Sequence, residues 1–508
     1  MANTQVSAAR PLGTSPLVAV SAAVALALIG FAFAQSPIET IVVLSALVGL
    51  VIAFMRPDLF VYFVAFTLPI NFARSYQGIP LAVEELYVLA APLIILHRVA
   101  GGRVVRRLRI KSVYVWPAAG LLIIIALSCF RASDFYSYVR GAGRFGGAVI
   151  CAWAVLNIAT TWDRQKKVIW SLLGGALFIC LLIFAQVITR EPTSIFFFIR
   201  GTTPTQFSPM RLEETVFVGR GMGLIGPSGS AHYLEVLLPI ALYGLLVARS
   251  KFWPYLVLAL LWAGTLLTFT AVPVLVGVAV SLLLGLLMRK LSLTFATAAM
   301  LIAGLGSALL SLTYVSGQLS ERILLWQGEL YQRLDLWKMG WDLFRMHPLV
   351  GVGFTNSSAY FMTWTGTLFS RSPWWIIGHP HQLYILVADE LGVVGLGLYC
   401  WIWLRSLQLG FKAALDKGLG PRRFEVIALS CGSLALLLNG LTDSTLGGYQ
   451  YWVLLGLIEA TYRLVKPDVK LPAAKGADRV CSLDGGESRP TRGAFNRSGG
   501  ELTRRWPA

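Results

Sequence analysis

Charge, cysteine and histidine are all scarce in this chain. Only 13% of its 508 residues are Asp, Glu, Lys or Arg, against 56% hydrophobic, too few to coat several soluble domains. The six cysteines lie mostly in apolar runs, with Cys481 in the tail, and neither long polar loop holds one. That excludes an external disulfide framework or a cysteine-based zinc site. The outer loops have no Asp-x-Asp or His-Glu-x-x-His motif, so no bound metal is implied. Gly351-x-Gly353 follows no strand and is not a nucleotide fingerprint. Acidic residues are outnumbered 25 to 43, giving a net charge of +18. The basic residues are scattered through short loops, which fits membrane topology and anionic lipid head groups rather than nucleic acid.

What fills the chain instead is apolar sequence, with a mean hydropathy of +0.68. About 20 apolar residues cross a bilayer core, so length here counts helices. The expected class is an all-α polytopic membrane protein with 12–14 transmembrane helices. Candidate spans lie at 17–34, 38–55, 58–72, 81–96, 113–130, 138–159, 168–189, 231–248, 254–270, 272–288, 293–315, 383–404, 424–443 and 446–464. The weakest is 58–72, and 254–288 is divisible elsewhere.

Loop Lys and Arg favour the cytoplasmic side. With fourteen spans and a cytoplasmic N-terminus at 1–16, the basic loops 97–112, 160–167, 249–253, 289–292 and 405–423 all fall inside. The organisation expected is helices one to eleven across 17–315 with an outer loop at 190–230, a large outer loop at 316–380, helices twelve to fourteen across 381–464, and a basic tail at 465–508. The tail, rich in Gly, Arg, Ser and Pro, cannot bury a core and reads as disordered and cytoplasmic. Ala32-Phe33-Ala34 has the form of a signal-peptide cleavage site, but the apolar run before it is longer than usual and only Arg10 precedes it.

Charged side chains inside spans are costly, so their depth is informative. Glu84 and Glu85, Arg140 and Arg144, His232 and Glu235, Asp389 and Glu390, and Asp443 fall in the outer third of their spans, whereas the inner ends show Glu459 as the main example. Snorkelling near any interface is the structural alternative. Arg140 and Arg144 are four apart, and His232 and Glu235 three apart, so each pair shares a helix face. Arg190, Arg200, Arg211, Arg220, Arg322, Arg333, Arg345 and Arg371 run against the positive-inside bias. A guanidinium fork matches phosphate, so this excess points to an anionic ligand. Pairing with Glu213, Glu214, Glu321, Asp335 and Asp342 is the competing use. Between Tyr331 and Met346, Leu334, Trp337, Trp341 and Phe344 recur at helical spacing, which predicts an amphipathic helix on the outer membrane surface. Trp364, Trp374 and Trp375 read as an interfacial belt or, alternatively, a sugar-stacking platform.

Four pieces of sequence then stand in order. They are Arg220-Gly-Met-Gly223-Leu-Ile-Gly226-Pro227 with Ala231, Tyr233 and Leu234; Arg333 with Trp337; His347-Pro348-Leu349 with Gly351 and Gly353; and His381-Gln382-Leu383-Tyr384 with Glu390, Gly392 and Gly395. In these the chain resembles the O-antigen ligase and O-antigen polymerase superfamily of bacterial envelope glycosyltransferases, over about residues 215–400. It departs from that pattern where Ala271 follows Thr270, a place that often carries Arg, and at Gln382, usually Asn.

The resemblance implies a multi-helix enzyme similar to the GT-C transferases, in the bacterial inner membrane with its active face periplasmic. Its donor would be a glycan on polyprenyl diphosphate, and its acceptor the lipid A core for a ligase or the growing polysaccharide for a polymerase. Membrane lipids are the remaining partners, and no cofactor is implied. His381 would be the general base, since imidazole titrates nearest the working pH. Asp389 or Glu390 would orient it, Asp389 being nearer its side of a continuous helix. Arg220 and Arg333 would stabilise the departing diphosphate. Arg211, Arg140, Arg144, His232 and His379 are further substrate-binding candidates, and His379 and His232 are also alternative bases. A transporter or flippase of lipid-linked oligosaccharides is the main rival, and would be expected to have broken helices and polar groups near the midplane. A non-enzymatic assembly partner is a third reading.

Overall fold

Asp134 shows how the helices of this protein begin. Its Oδ1 accepts the backbone N–H groups of Tyr136 at 3.0 Å and Ser137 at 3.3 Å, satisfying donors that a helix start leaves open. A 24-residue helix follows from it, Phe135–Ile158. The computed structural model describes residues 49, 51–69, 73–76, 79–82, 87–100, 112–189, 227–248, 250, 252–268, 270–289, 298, 319–368, 379–442 and 448–466.

In chain order the elements are α1 (Pro57–Thr67), the strands β1 (Ala73–Tyr76) and β2 (Ile79–Ala82), α2 (Ala90–Ala100), α3 (Val115–Leu127), α4 (Phe135–Ile158), α5 (Trp162–Thr189), α6 (Pro227–Val247), α7 (Phe252–Leu267), α8 (Ala271–Leu287), α9 (Leu319–Met346), α10 (Ser357–Leu368), α11 (Leu383–Leu415), α12 (Arg423–Asn439) and α13 (Tyr449–Val465). The strands form an antiparallel hairpin with Ala73 opposite Ala82. It occupies the start of the expected 81–96 span, so helix there begins only at Ala90, after a short 3-10 turn.

The outward surface is apolar. Leu127, Leu181, Leu275, Leu286, Leu404 and Phe411 are all more than 60% exposed, a pattern suited to lipid rather than water. α4, α5 and α11 are long and apolar enough to cross a membrane, and α1, α3, α7 and α8 are shorter apolar helices. Among the described residues these do not add up to fourteen crossings. The expected span at 17–34, most of 38–55 and nearly all of 293–315 lie outside the described residues, as do Glu84, Glu85 and Asp443.

Inside, α13 packs on α4, α6 on α7 and α12, and α11 on α3, α9 and α12. Gly456 makes the first of these contacts close, since a methyl group there would meet the Ala152 backbone. Aromatic rings fill the seams edge to face, Phe145 against Trp452 at 5.3 Å and Trp403 against Tyr451 at 5.7 Å.

The bundle has two polar ends. One, here the basic end, joins the residues before α3 to the C-terminus of α13 and the α11–α12 connection. The other, the loop end, gathers the turn after α3, the starts of α4, α6, α11 and α13, and the residues 347–356. The inner-end expectation needs correcting here. Besides Glu459, Glu425 is buried at the basic end, where Gln165 donates to it. Glu459 accepts from the Ser112 hydroxyl, from Val113 N–H at 3.3 Å, and from Arg463 at 2.5 Å.

α9 also differs from its expected form. It is 28 residues long, and among its described side chains from Arg333 on, Leu336, Gly340 and Leu343 are the buried positions, while Leu334 and Trp341 stay exposed. The reason is Gly340, where a side chain would meet Ile385 and Phe361. The absent side chain lets α9 lie against α11, and that contact selects the face.

Candidate active site

α11 is broken near its start. Gly392 has φ 68° and ψ −173°, a conformation open essentially to glycine alone, and a Cβ there would strike the Leu349 carbonyl. A break inside an apolar helix frees backbone groups that lipid cannot satisfy. The turn His347–Asn356 satisfies them. Val352 N–H donates to Asp389 O at 2.8 Å, Gly353 N–H to Glu390 O at 3.0 Å, and Val393 N–H to Pro348 O at 2.8 Å. Gly351, with φ 67°, brings the turn onto the Glu390 backbone. The glycines of the His-Pro-Leu-Val-Gly-Val-Gly motif thus dock a loop onto a helix break.

Side chains lock this joint. Asn356, buried, donates to Arg131 O at 2.6 Å and Val352 O at 3.0 Å, and its Oδ1 accepts from Ser133 N–H and Oγ at 3.0 Å each. Arg131 Nη1 donates to Gly351 O at 2.9 Å, and Ser128 Oγ accepts Phe354 N–H at 3.2 Å. Ser357 Oγ donates to Glu390 Oε1 at 2.7 Å. Sequence reasoning passed over Arg131, Asn356 and Ser357. The signal available was the polar run Thr355-Asn356-Ser357-Ser358 directly after the glycines.

The second half of the site is the turn His379-Pro380-His381-Gln382. Gln382 caps α11, its Oε1 accepting Ile385 N–H at 2.5 Å, and Leu383 N–H donates to Gly440 O at 2.7 Å. His381 has φ 51°, an unusual conformation for a residue with a side chain. Its N–H donates to His379 Nδ1 at 3.3 Å, and the two rings stand 4.2 Å apart, edge to face.

Arg333 arrives at the same place from α9, with Nη1 donating to Thr442 O at 3.2 Å. It is half-buried, and among the described residues it has no carboxylate partner. Asn439, one residue before Gly440, donates to Glu235 Oε1 of α6. The end of α12 and the turn that follows it, Asn439 to Thr442, therefore tie together the histidine turn, Arg333 and Glu235. Glu235 was noted in the sequence for its spacing to His232 but not placed in the site.

The remaining candidates distribute as follows. Asp389 is fully buried, and neither of its oxygens has a hydrogen-bond partner among the described residues, so it does not hold His381. The break at Gly392 interrupts α11 three residues past Asp389, and a Cβ at Gly340 of α9 would lie 3.5 Å from the Asp389 Oδ2. Glu390 is buried on Ser357. Arg140 and Arg144 lie half-buried on α4 beside Gly141 and Phe145, which face Phe354 of the glycine turn. His232 is buried on α6, one turn before Glu235. Arg211 and Arg220 lie outside the described residues.

These elements fall largely within one stretch of sequence, and residues 233–400 match a family model whose description is O-antigen ligase. The match supports the O-antigen ligase and polymerase superfamily. It covers Glu235, Arg333, the glycine turn, both histidines and the α11 break, but not Asn439. No curated protein matches the chain. Among the described residues no group of three His, Cys, Asp or Glu side chains is arranged to hold a metal.

Proposed function

We propose that the protein is a bacterial inner-membrane glycosyltransferase with a GT-C-like bundle of about 14 crossings (range 12–14). In this reading it transfers a glycan from a polyprenyl diphosphate to an acceptor hydroxyl on the periplasmic side. The acceptor is lipid A core if it acts as a ligase and growing polysaccharide if it acts as a polymerase. The observation that carries the reading is that Leu383, two residues after His381, and Arg333 both bond to one short segment, Gly440 to Thr442.

Two chemical needs follow from such a transfer. The bond from the anomeric carbon to the diphosphate oxygen breaks, leaving its electron pair on that oxygen, and the acceptor oxygen forms the new bond to carbon. The acceptor's proton passes to His381, whose imidazole accepts it in one ring position. Arg333, with donors unused by carboxylates among the described residues, meets the charge that builds on the diphosphate. Arg140, Arg144 and His232 line the donor's approach, and Arg211 and Arg220 complete the cationic set from the preceding loop. Asp389 and Glu390 act through the α11 break, holding the floor under the histidine turn.

The transporter reading gains one observation, the broken helix. The break at Gly392 nevertheless comes roughly 13 Å from the start of α11, whose 33 residues extend far beyond it. Its freed backbone groups also bond to the turn at 347–356 instead of remaining available to a substrate. Reconstituted protein supplied with polyprenyl-diphosphate glycan and acceptor distinguishes the two. Bond formation lost in His381→Ala supports the transferase, and carrier movement without a glycosidic product supports the transporter.

A further inference from the structure

A catalytic imidazole has to be aimed, and among the described residues neither Asp389, whose oxygens have no hydrogen-bond partner, nor Glu390, which bonds to Ser357, is placed to do it. The backbone constrains His381 from both sides. A residue at φ 51° directs its Cβ differently from one in the helical or extended region, so the peptide planes on either side decide where the ring points. The following side is anchored by Gln382 capping Ile385 and by Leu383 N–H on Gly440 O. The preceding side is anchored by His381 N–H on His379 Nδ1. The His379 ring also stands 4.2 Å from the His381 ring at 64°, limiting its rotation.

We infer that His379 is the positioning residue for His381, accepting its N–H at Nδ1 and bracing its ring, rather than a second base or a donor to substrate. This rests on the reading of His381 as the base. An Nδ1 that accepts carries no proton, so His379 is neutral here with its hydrogen on Nε2.

The amide variants separate this role from the others. Asn places a carbonyl oxygen where Nδ1 stands and can accept the same N–H, whereas Gln places it nearer Nε2 and cannot. In the full-length reconstituted protein, His379→Asn should keep kcat within about fivefold of the parent. His379→Gln and His379→Ala should lose about 10²-fold in kcat with little change in KM for the carrier, as expected for a misplaced reacting group. If Asn and Gln fall together, as far as His381→Ala, His379 touches the reacting atoms itself and the inference is overturned. Full kcat in His379→Ala also overturns it. Should the alanine variant fail to fold, the Asn and Gln pair decides, since both keep a polar side chain. An active His381→Ala instead removes the base assignment, whatever His379 does.

Discussion

The described buried carboxylates of the basic end all have partners, whereas at the loop end Glu390 bonds to Ser357 but two others fall short. At the basic end, Glu459 has Ser112, Val113 and Arg463 around it, and Glu425 has Gln165. At the loop end, Asp389 has no partner among the described residues, and Glu235 keeps one oxygen open beside an open Asn439 Oδ1. Polar groups buried with full satisfaction hold a structure together, whereas groups left short of partners are maintained at a cost that stability alone does not explain. The contrast teaches that the count of charges in an apolar helix says little until their partners are known. It also agrees with the chemistry proposed at the loop end.

Breaking the joint beneath the site should have the largest effect. Gly392→Ala forces a side chain into a glycine-only conformation and against the Leu349 carbonyl, so folded protein should largely disappear from membrane extracts on size exclusion. A monodisperse, active alanine variant would show that the break is not needed. Next, Arg333→Ala should reduce kcat/KM for transfer about 10²-fold, and Arg333→Lys should restore little of it, because a point charge does not reproduce the planar fork. Full rescue by lysine would reduce the role to simple charge.

The ends can then be set against each other. Glu459→Gln should lower stability by about 1–3 kcal/mol, since it weakens a buried ion pair, while the activity of each folded molecule stays the same. Asp389→Asn replaces an unpartnered buried carboxyl group, so thermal stability should hold or rise while transfer slows at least about tenfold, the trade expected of a functional site. If these two variants behave alike, the distinction between the ends is lost. The smallest effect belongs to Asp134→Ala, which removes the α4 cap and should cost about 1 kcal/mol, read as a small drop in the unfolding midpoint.

Much of this was legible in the chain. Hydropathy places α4, α5 and α13 within a few residues of the expected 138–159, 168–189 and 446–464, because long apolar runs leave few alternatives. The division expected within 254–288 falls at Thr268–Thr270. The motif residues His347 to Gly353 and His381 also fall in the candidate site, and they stand out because polar residues and glycines are conspicuous against apolar sequence. The break at Gly392 did not, because Gly392, Gly395 and Gly397 look equivalent until the turn at 347–356 docks on one of them. The buried face of α9 was misassigned for a similar reason. Trp341 satisfies helical periodicity, yet Gly340 decides which side meets α11. The positioning of His381 inferred above rests on a hydrogen bond from its backbone to a neighbouring ring, which has no spacing rule that would reveal it in the sequence.

The central claim is that the histidine turn and Arg333 form one transfer site at the turn that follows α12. Its most direct measurement is product formation by purified protein in liposomes carrying polyprenyl-diphosphate glycan and a matched acceptor, for the parent, His381→Ala and Arg333→Ala. The account predicts a glycosidic product from the parent, a loss of about 10²- to 10⁴-fold in His381→Ala and a smaller loss in Arg333→Ala. Undiminished product from folded His381→Ala would contradict it.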